Sequence, residues 1–359
     1  MKAITVDPAR RTLALLDAPE PALSAPTQAK LRMLEVGVCG TDKEICAFEY
    51  GTPPAGSAYL ILGHESLAEV AQVGDRVGNL KPGDLVVTMV RRPCAHVHCR
   101  PCRSGRQDYC VTGDFVERGI KGQHGFMSEW VVDDAQYMVP VPRALRDIGV
   151  LVEPLTIAEK ALEQVAAIQR RLPWEGDHTA LVLGAGPVGL LGAMALRAAG
   201  YRVFVYSLEA APNPKADVTA QIGATYVSAT THDMAALRET IGQIDLVFEA
   251  TGAPQLSFDA ARILGANGVF VLSGVPGHKP PITFDAGALM RGMVLQNQVL
   301  VGTVNAGRAS FEAAIRDLGR FMERWPEAVR DLITGRFPAT GYEALLQGRA
   351  GGIKNVITM

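Results

Sequence analysis

A glycine-rich turn at residues 184–189, with the sequence Gly-Ala-Gly-Pro-Val-Gly, constrains the fold of this chain more than any other feature. It follows a short apolar run at 180–183 that is typical of a parallel strand buried on both faces, and an Ala/Leu-rich helical segment comes after it. Glycines at this spacing, between a strand and a helix, are typical of a dinucleotide-binding turn, where the backbone approaches the pyrophosphate at the helix N-terminus. The predicted cofactor-binding residues of this turn are Gly184, Gly186, Pro187, Val188 and Gly189.

The surrounding pattern predicts an α/β fold with two domains. Strand-like runs at 202–206, 245–250 and 268–272 follow the turn at the spacing of a doubly wound parallel sheet. Residues before about 150 are instead short apolar runs separated by Gly-Asp and Pro-Gly turns, which predicts a β-rich domain. A chain of 359 residues is also long enough for two cores.

Composition excludes several classes of function. A formal net charge of −2 provides no field for gathering nucleic acid or coating an anionic membrane. No apolar run approaches the roughly 18 residues of a membrane span, and the N-terminus lacks a secretory apolar region. All six cysteines lie between positions 39 and 110, which favours metal ligation in a reducing cytosol over a disulfide framework. We therefore expect a cytoplasmic protein with no nucleic-acid or membrane partner.

Two short motifs offer metal ligands. Cys39 opens a Cys-Gly-Thr-Asp sequence, and His64 and Glu65 follow a glycine after an apolar run. A thiolate, an imidazole and a carboxylate suit an open catalytic zinc site, although a single histidine after a strand is more often structural. Glu153, between apolar neighbours at the junction of the two predicted domains, is a further candidate metal or substrate ligand.

The end of the second predicted strand bears on the choice of cofactor. Glu209 lies about twenty residues past the third glycine, where a carboxylate can bind the ribose 2′-hydroxyl and repel a 2′-phosphate. The nearest basic residue downstream is Lys215. The sequence favours NAD and leaves NADP open, the alternative being that Glu209 is a solvated surface acid.

Together these motifs resemble the zinc-dependent medium-chain dehydrogenases over essentially the whole chain. A narrower resemblance, to the glucose dehydrogenases, is carried by residues 113–120, 125–127, 139–142, 152–154 and 301–305. It implies a β-rich GroES-like catalytic domain formed by residues 1–155 with 296–359, and a Rossmann domain formed by residues 156–295.

The resemblance also implies roles for single residues. Cys39, His64 and Glu65 would hold the catalytic zinc, with Glu153 contributing directly or through water. Thr41 would hydrogen-bond the reacting hydroxyl and take part in removing its proton. The implied sugar ligands are Glu117, Glu153 and Asn305, and the implied contacts near the nicotinamide are Gly274, Val275 and Asn305. Glu44 stands where many relatives have a histidine that completes a proton relay.

A second, structural zinc is implied by Cys99, Cys102 and Cys110, which match three of the four ligands of a lobe that these dehydrogenases often carry. The first ligand is Cys94 or His96, with Cys94 favoured, and a metal-free lobe is the alternative. Cys46 has no metal-spaced partner and is expected to be a buried small apolar residue.

The predicted reaction is oxidation of the C1 hydroxyl of an aldose to the aldonolactone, with hydride transfer to NAD(P)⁺. A polyol or secondary-alcohol dehydrogenase is the nearest alternative, but an apolar substrate would leave Glu117 and Asn305 unpaired. A non-catalytic dinucleotide sensor is a remote alternative, since Cys39, Thr41, His64 and Glu65 are all retained. We expect a small-molecule sugar substrate and a homo-oligomer, either a dimer or a tetramer.

Overall fold

The structure is a computed structural model that describes residues 1–174, 176, 178–277, 280–348 and 351–359. The chain forms two compact units. The first contains Met1–Thr156, Asn305–Gly319 and Ile333–Met359, and the second contains Ile157–Val304 and Arg320–Leu332. In the described part of the chain, no helix is both long and apolar enough to cross a lipid bilayer.

The first unit is built mainly from β-strands, in agreement with the predicted β-rich texture. Its strands are Lys2–Asp7, Thr12–Asp17, Gln28–Gly37, Leu60–Ile61, Glu65–Val73, Leu85–Thr88, Arg91–Arg92, Val116–Arg118, Gly122–Gln123, Trp130–Asp134, Met138–Val141, Ile333–Pro338 and Lys354–Thr358. Its short α-helices are Gly40–Cys46, Arg100–Arg103 and Tyr342–Leu346. Its 3₁₀ turns are Gln107–Tyr109, Ala135–Tyr137, Arg143–Leu145, Gly149–Leu151 and Ala339–Gly341.

The long strand Gln28–Gly37 organises this unit. It pairs antiparallel with Glu65–Val73 on one side and with Lys354–Thr358 on the other. Alternate residues of the strand, including Leu31 and Met33, enter an apolar core. This alternation has the two-residue period of a strand with one face on a core. The pairing places its last residue, Gly37, opposite Glu65 on one side and Val356 on the other.

The second unit is a doubly wound domain. Its described strands form one parallel sheet, in the spatial order Thr225–Ser228, Arg202–Ser207, Thr179–Leu183, Leu246–Glu249, Val269–Leu272, Val299–Gly302. Helices connect or flank them: Pro187–Ala198, Pro214–Gln221, Met234–Ile241, Pro254–Ala261, Ala286–Leu295 and Pro326–Asp331. The order reverses at Thr179–Leu183, so the glycine turn that follows this strand lies where open α/β sheets bind dinucleotides.

Two longer helices, Val152–Gln169 and Arg308–Arg324, each contribute residues to both units. Residues 296–304, expected with the catalytic domain, group with the second unit because Val299–Gly302 pairs with Val269–Leu272 in the parallel sheet. Residues 320–332 also group with the second unit, where the side chain of Gln221 donates a hydrogen bond to Asp331 at 3.1 Å.

Candidate active site and metal centres

Strand pairing brings the predicted catalytic ligands together. Gly37 ends one strand and lies opposite Glu65, the first residue of the next strand. Cys39 follows Gly37 by two residues at the start of the helix Gly40–Cys46, and His64 directly precedes Glu65. A Cβ atom at Gly37 would lie 2.0 Å from Oε2 of Glu65, so only glycine leaves room for this carboxylate.

The donor atoms of Cys39, His64 and Glu65 all lie within 4.8 Å of one another. His64 and Glu65 are 5% and 1% exposed, so two of the three donors are shielded from water. A sulfur, a nitrogen and a carboxylate oxygen at this separation fit a zinc ion, which in catalytic sites has three protein ligands and an open position.

Asp42 is a residue beside the three donors that the sequence motifs did not identify as part of the site. Its buried carboxylate accepts a hydrogen bond from the backbone N–H of Cys39 at 2.9 Å, and its Oδ1 lies 3.5 Å from Nδ1 of His64. The carboxylate thus faces Nδ1 of the ring, and a carboxylate in this place commonly leaves Nε2 of a histidine to bind a metal. Burial alone lowers the pKa of His64, but the carboxylate of Asp42 and then the Cys39 thiol raise it well above its ordinary value. A cation at this place would be attracted by the same groups.

Lys354 is a second residue that the sequence analysis missed. Its Nζ donates to both oxygens of Glu65, at 2.8 and 2.5 Å, and to the carbonyl of Val38 at 3.1 Å. Both charged side chains are 2% exposed. Burial lowers the pKa of Lys354, but Glu65 and Cys39 outweigh that effect and raise it. The ammonium therefore balances the negative charge of the ligand set.

Glu153 and Thr41 are predicted site residues outside the group of three donors. Glu153 lies in the first turn of Val152–Gln169 and is half-buried. Burial raises the pKa of Glu153 to about 7; His64 opposes this shift, and Glu65 adds to it. Thr41 lies in the first turn of the helix after Cys39.

The predicted sugar ligands Glu117 and Asn305 contact each other directly. Nδ2 of Asn305 donates to Oε1 of Glu117 at 2.8 Å, although 188 positions separate them. Oε1 also accepts from Nε of Arg91 at 3.0 Å. Glu117 is 5% exposed, and Asn305 has a left-handed backbone with φ of 59°.

The four cysteines of the predicted structural lobe also cluster. The sulfurs of Cys94, Cys99, Cys102 and Cys110 lie within 4.8 Å of one another. His96 instead places Nε2 2.5 Å from Oδ2 of Asp114, in an exposed pair. Burial raises the pKa of Cys102 to about 12. Burial also acts to raise that of Cys110, but hydrogen bonds from Thr112 lower it to about 6. Four sulfurs this close together fit the tetrahedral ligand set of a structural zinc. Cys94, rather than His96, is the fourth residue of the cluster.

Cys46 lies apart from both clusters. It is half-buried against the apolar core of the first unit, and burial followed by the charge of Asp42 raises its pKa to about 12. These surroundings fit the expectation of a small apolar residue.

The glycine turn has the geometry of a cofactor cradle. Gly184 has a positive φ of 100°, and a Cβ on Gly189 would lie 2.0 Å from the carbonyl of Gly184, so the turn requires both glycines. Gly186 caps the helix Pro187–Ala198, and a Cβ there would meet no atom within 4 Å. Open space beside a bare backbone at the start of a twelve-residue helix fits a pyrophosphate.

Other predicted cofactor residues lie at the carboxyl ends of the same sheet. Glu209 accepts from Oγ of Ser207 at 2.6 Å and forms an ion pair with Lys215. The bond from Lys215, followed by that from Ser207, lowers the pKa of Glu209 to about 2. Gly274 donates its N–H to the buried Glu249 at 3.1 Å, and Val275 is 69% exposed.

Comparison with known families matches both parts of the chain. Residues 25–143 match the model described as "Alcohol dehydrogenase GroES-like domain", and residues 146–359 match "Glucose dehydrogenase C-terminus". The fold class and the family resemblance expected from the sequence are thereby confirmed.

Individual relatives are similar over their full length. The chain is 36% identical to glucose 1-dehydrogenase of Methanocella arvoryzae, covering 99% of each chain. It is 42% identical to glucose 1-dehydrogenase of Thermoproteus tenax, covering 96% of this chain and 95% of the relative. A solved structure of Haloferax mediterranei glucose dehydrogenase in complex with NADP, Zn and gluconolactone superimposes with a TM-score of 0.91 at 35% identity, covering 100% of this chain and 99% of that one. The chain therefore belongs to the zinc-dependent medium-chain dehydrogenases and, within them, to the glucose dehydrogenase family.

Proposed function

We propose that this protein is a glucose 1-dehydrogenase, which oxidises the C1 hydroxyl of glucose or a closely related aldose to the aldonolactone and reduces NAD(P)⁺. The observation that carries the proposal is the group of Cys39, His64 and Glu65 within 4.8 Å, in a chain whose relatives are glucose dehydrogenases over their whole length. The related structure that holds NADP, Zn and gluconolactone supports the same cofactors and product class.

Cys39, His64 and Glu65 would hold the catalytic zinc, and Glu153 would act on the substrate or reach the metal through water. A zinc ion, when bound, supplies Lewis-acid polarisation of the C1 hydroxyl, and the nicotinamide accepts the hydride from C1. The hydroxyl proton leaves as the C1–O double bond forms, and we assign to the Thr41 hydroxyl the part of a relay that accepts this proton while donating its own onward to water. Asp42 orients His64, and Lys354 balances the charge of Glu65.

Sugar recognition is assigned to Glu117, Glu153 and Asn305. Carboxylates accept strong, charge-assisted hydrogen bonds from hydroxyls, so this set suits a polyhydroxy substrate better than an apolar alcohol. The glycine turn would bind the dinucleotide, together with Glu209, Gly274 and Val275. We propose that NAD is preferred and that NADP is also accepted.

The structural zinc is assigned to Cys94, Cys99, Cys102 and Cys110. A cytoplasmic location is proposed because the six cysteines, all in the described part of the chain, are free thiols suited to a reducing compartment.

A homo-oligomer, either a dimer or a tetramer, is supported by an apolar surface on the second unit. The helix Ala286–Leu295 buries none of its residues within the chain and exposes Met290, Val294 and Leu295 by 68%, 72% and 67%. Val299–Gly302 is the last strand of the described parallel sheet. Clustered exposed apolar side chains and an open sheet edge are common at subunit interfaces.

The decisive experiment measures absorbance of the reduced nicotinamide with a panel of aldoses, polyols and secondary alcohols, each with NAD and NADP. We expect turnover with glucose-like aldoses, and Cys39→Ala should lose most of it while still binding dinucleotide. Efficient oxidation of acyclic polyols or simple secondary alcohols, with no aldose accepted, would replace the proposal with the alternative dehydrogenase. Near-native turnover by Cys39→Ala would refute the zinc assignment.

A further inference from the structure

Glu117 uses one of its carboxylate oxygens for contacts within the protein. Oε1 accepts hydrogen bonds from Nε of Arg91 at 3.0 Å and from Nδ2 of Asn305 at 2.8 Å, and Nη2 of Arg91 also lies 3.0 Å from it. Within the described residues, no hydrogen bond falls on Oε2. The second oxygen is therefore the one that can accept a hydrogen bond from a substrate hydroxyl.

Arg91 is itself held from three directions. It pairs with Glu117 across the antiparallel strands Arg91–Arg92 and Val116–Arg118. Its Nη1 donates to the backbone carbonyl of Asp108 at 3.3 Å, and its guanidinium lies 3.7 Å from the centre of the Phe115 ring. A planar guanidinium can hold two acceptors and stack on a ring at once, which an ammonium cannot do.

The contact with Asp108 connects Glu117 to the cysteine cluster. Asp108 belongs to the 3₁₀ turn Gln107–Tyr109, which directly precedes Cys110. From the same turn, the side chain of Gln107 donates to the carbonyl of Arg91 at 3.4 Å. Arg91 thus joins the turn that precedes Cys110 to the carboxylate assigned to the sugar.

We infer that Arg91 is a positioning residue for sugar recognition: it binds Oε1 of Glu117 and Asp108 together, so that Oε2 of Glu117 is presented to one hydroxyl of the substrate. This inference rests on the proposed aldose dehydrogenase activity. Arg91 is 7% exposed, and its proposed role is to position Glu117 without touching the substrate itself.

The test compares Arg91→Lys with Arg92→Lys, a matched control. Arg92 is the next residue of the same strand and is 6% exposed, but it pairs with Asp133 rather than Glu117. Lysine keeps the charge in both variants but lacks the planar fork of the guanidinium. Glu117→Gln serves as the reference for loss of the carboxylate, and Arg91→Met as a second variant without charge.

The measurements are kcat and KM for glucose and for each monodeoxyglucose, with the thermal midpoint and zinc content of every variant. In the wild type, removing the hydroxyl that Glu117 accepts should raise KM by about tenfold or more. In Glu117→Gln and Arg91→Lys, this rise in KM, the deoxy-sugar penalty, should be smaller for the same sugar. KM for glucose itself should rise several-fold, with a smaller change in kcat. Arg92→Lys should keep the wild-type penalty.

An Arg91→Lys protein that is folded, zinc-loaded and still has the wild-type deoxy-sugar penalty would overturn the inference. So would an equal loss of the penalty in Arg92→Lys, since the effect would then be a general consequence of changing this strand. A wild-type protein that accepts no aldose would instead refute the proposed function. If Arg91→Met does not fold, Arg91→Lys decides between these outcomes.

Discussion

At the scale of single residues, the buried pair of Lys354 and Glu65 is the main electrostatic feature of the ligand set. The ammonium lies 2.8 and 2.5 Å from the two carboxylate oxygens, with almost no access to water. Removing one partner of such a pair leaves an uncompensated buried charge, which commonly costs about 3–5 kcal/mol. We therefore expect Lys354 to affect the stability of the protein as well as the metal site.

We predict that Lys354→Met destabilises the metal-free protein by about 3 kcal/mol and that zinc restores a large part of this loss, because the dication becomes the counter-charge of Glu65. Calorimetry with chelator and with excess zinc measures both quantities, and Lys354→Arg is the charge-conserving control. An equal loss with and without zinc would show that the ammonium does not compensate the metal ligand.

The pair of Lys215 and Glu209 should determine the balance between the two nicotinamide cofactors. Lys215 neutralises a carboxylate that by itself would repel a 2′-phosphate. We predict that Lys215→Ala weakens NADP binding on the order of tenfold and changes NAD binding much less. Equilibrium titration of reduced-cofactor fluorescence measures both affinities. Glu209→Ala should shift the preference in the opposite direction, towards NADP, and an unchanged ratio in both variants would contradict the assignment.

The pH dependence of the ion pair between Lys215 and Glu209 follows from the direction in which the pKa of Glu209 is shifted. The pKa of Glu209 is lowered to about 2 in the folded protein, so the stabilising contribution of the pair is complete above the ordinary carboxyl range and is lost as pH falls from there towards about 2. Ionisation of Glu209 should therefore cause no change in NAD affinity from roughly pH 5.5 to 8. An NAD affinity that changes across this interval would require a different titrating group.

At the scale of elements, the segment from Cys94 to Cys110 has little regular structure. It contains one four-residue helix, Arg100–Arg103, and one 3₁₀ turn, Gln107–Tyr109, in addition to loops. Such a segment buries too little apolar surface to order itself, so a metal would contribute directly to its folding.

We predict about two zinc ions per chain by elemental analysis of the metal-replete protein, and about one after Cys102→Ser or Cys94→Ser. His96→Ala should keep both ions, because His96 pairs with Asp114 outside the thiol cluster. A single zinc ion in the wild type, unaffected by Cys102→Ser, would mean that the lobe binds no metal.

At the scale of the whole molecule, the apolar helix Ala286–Leu295 provides the surface on which the proposed self-association can be tested. We predict that the wild-type protein is a dimer or tetramer in solution and that Met290→Asp combined with Val294→Asp lowers its molar mass by light scattering, because two charges would be buried in the interface. Ser104→Asp, on the first unit, serves as a surface-charge control. A monomeric wild-type protein would contradict the proposal.

The sequence by itself determined those features that depend on near neighbours along the chain. The buried strand Thr179–Leu183, the glycine turn after it and the helix Pro187–Ala198 were all predictable, because strand burial, positive φ and helix initiation are set within a few residues. The same holds for the helix that begins after Cys39. The ligand chemistry of the two motifs, together with the family resemblance, connected Cys39 with His64 and Glu65.

Only the tertiary structure determined which distant residues contact Glu65 and Glu117. Lys354 lies 289 positions from Glu65, and Asn305 lies 188 positions from Glu117, so no local periodicity could pair them. Cys94 and His96 are both at plausible ligand spacing, and only the folded loop places one sulfur with the other thiols. The physical reason is that charge compensation and hydrogen bonding act over a few ångströms in space, and the sheet order determines which distant residues come that close.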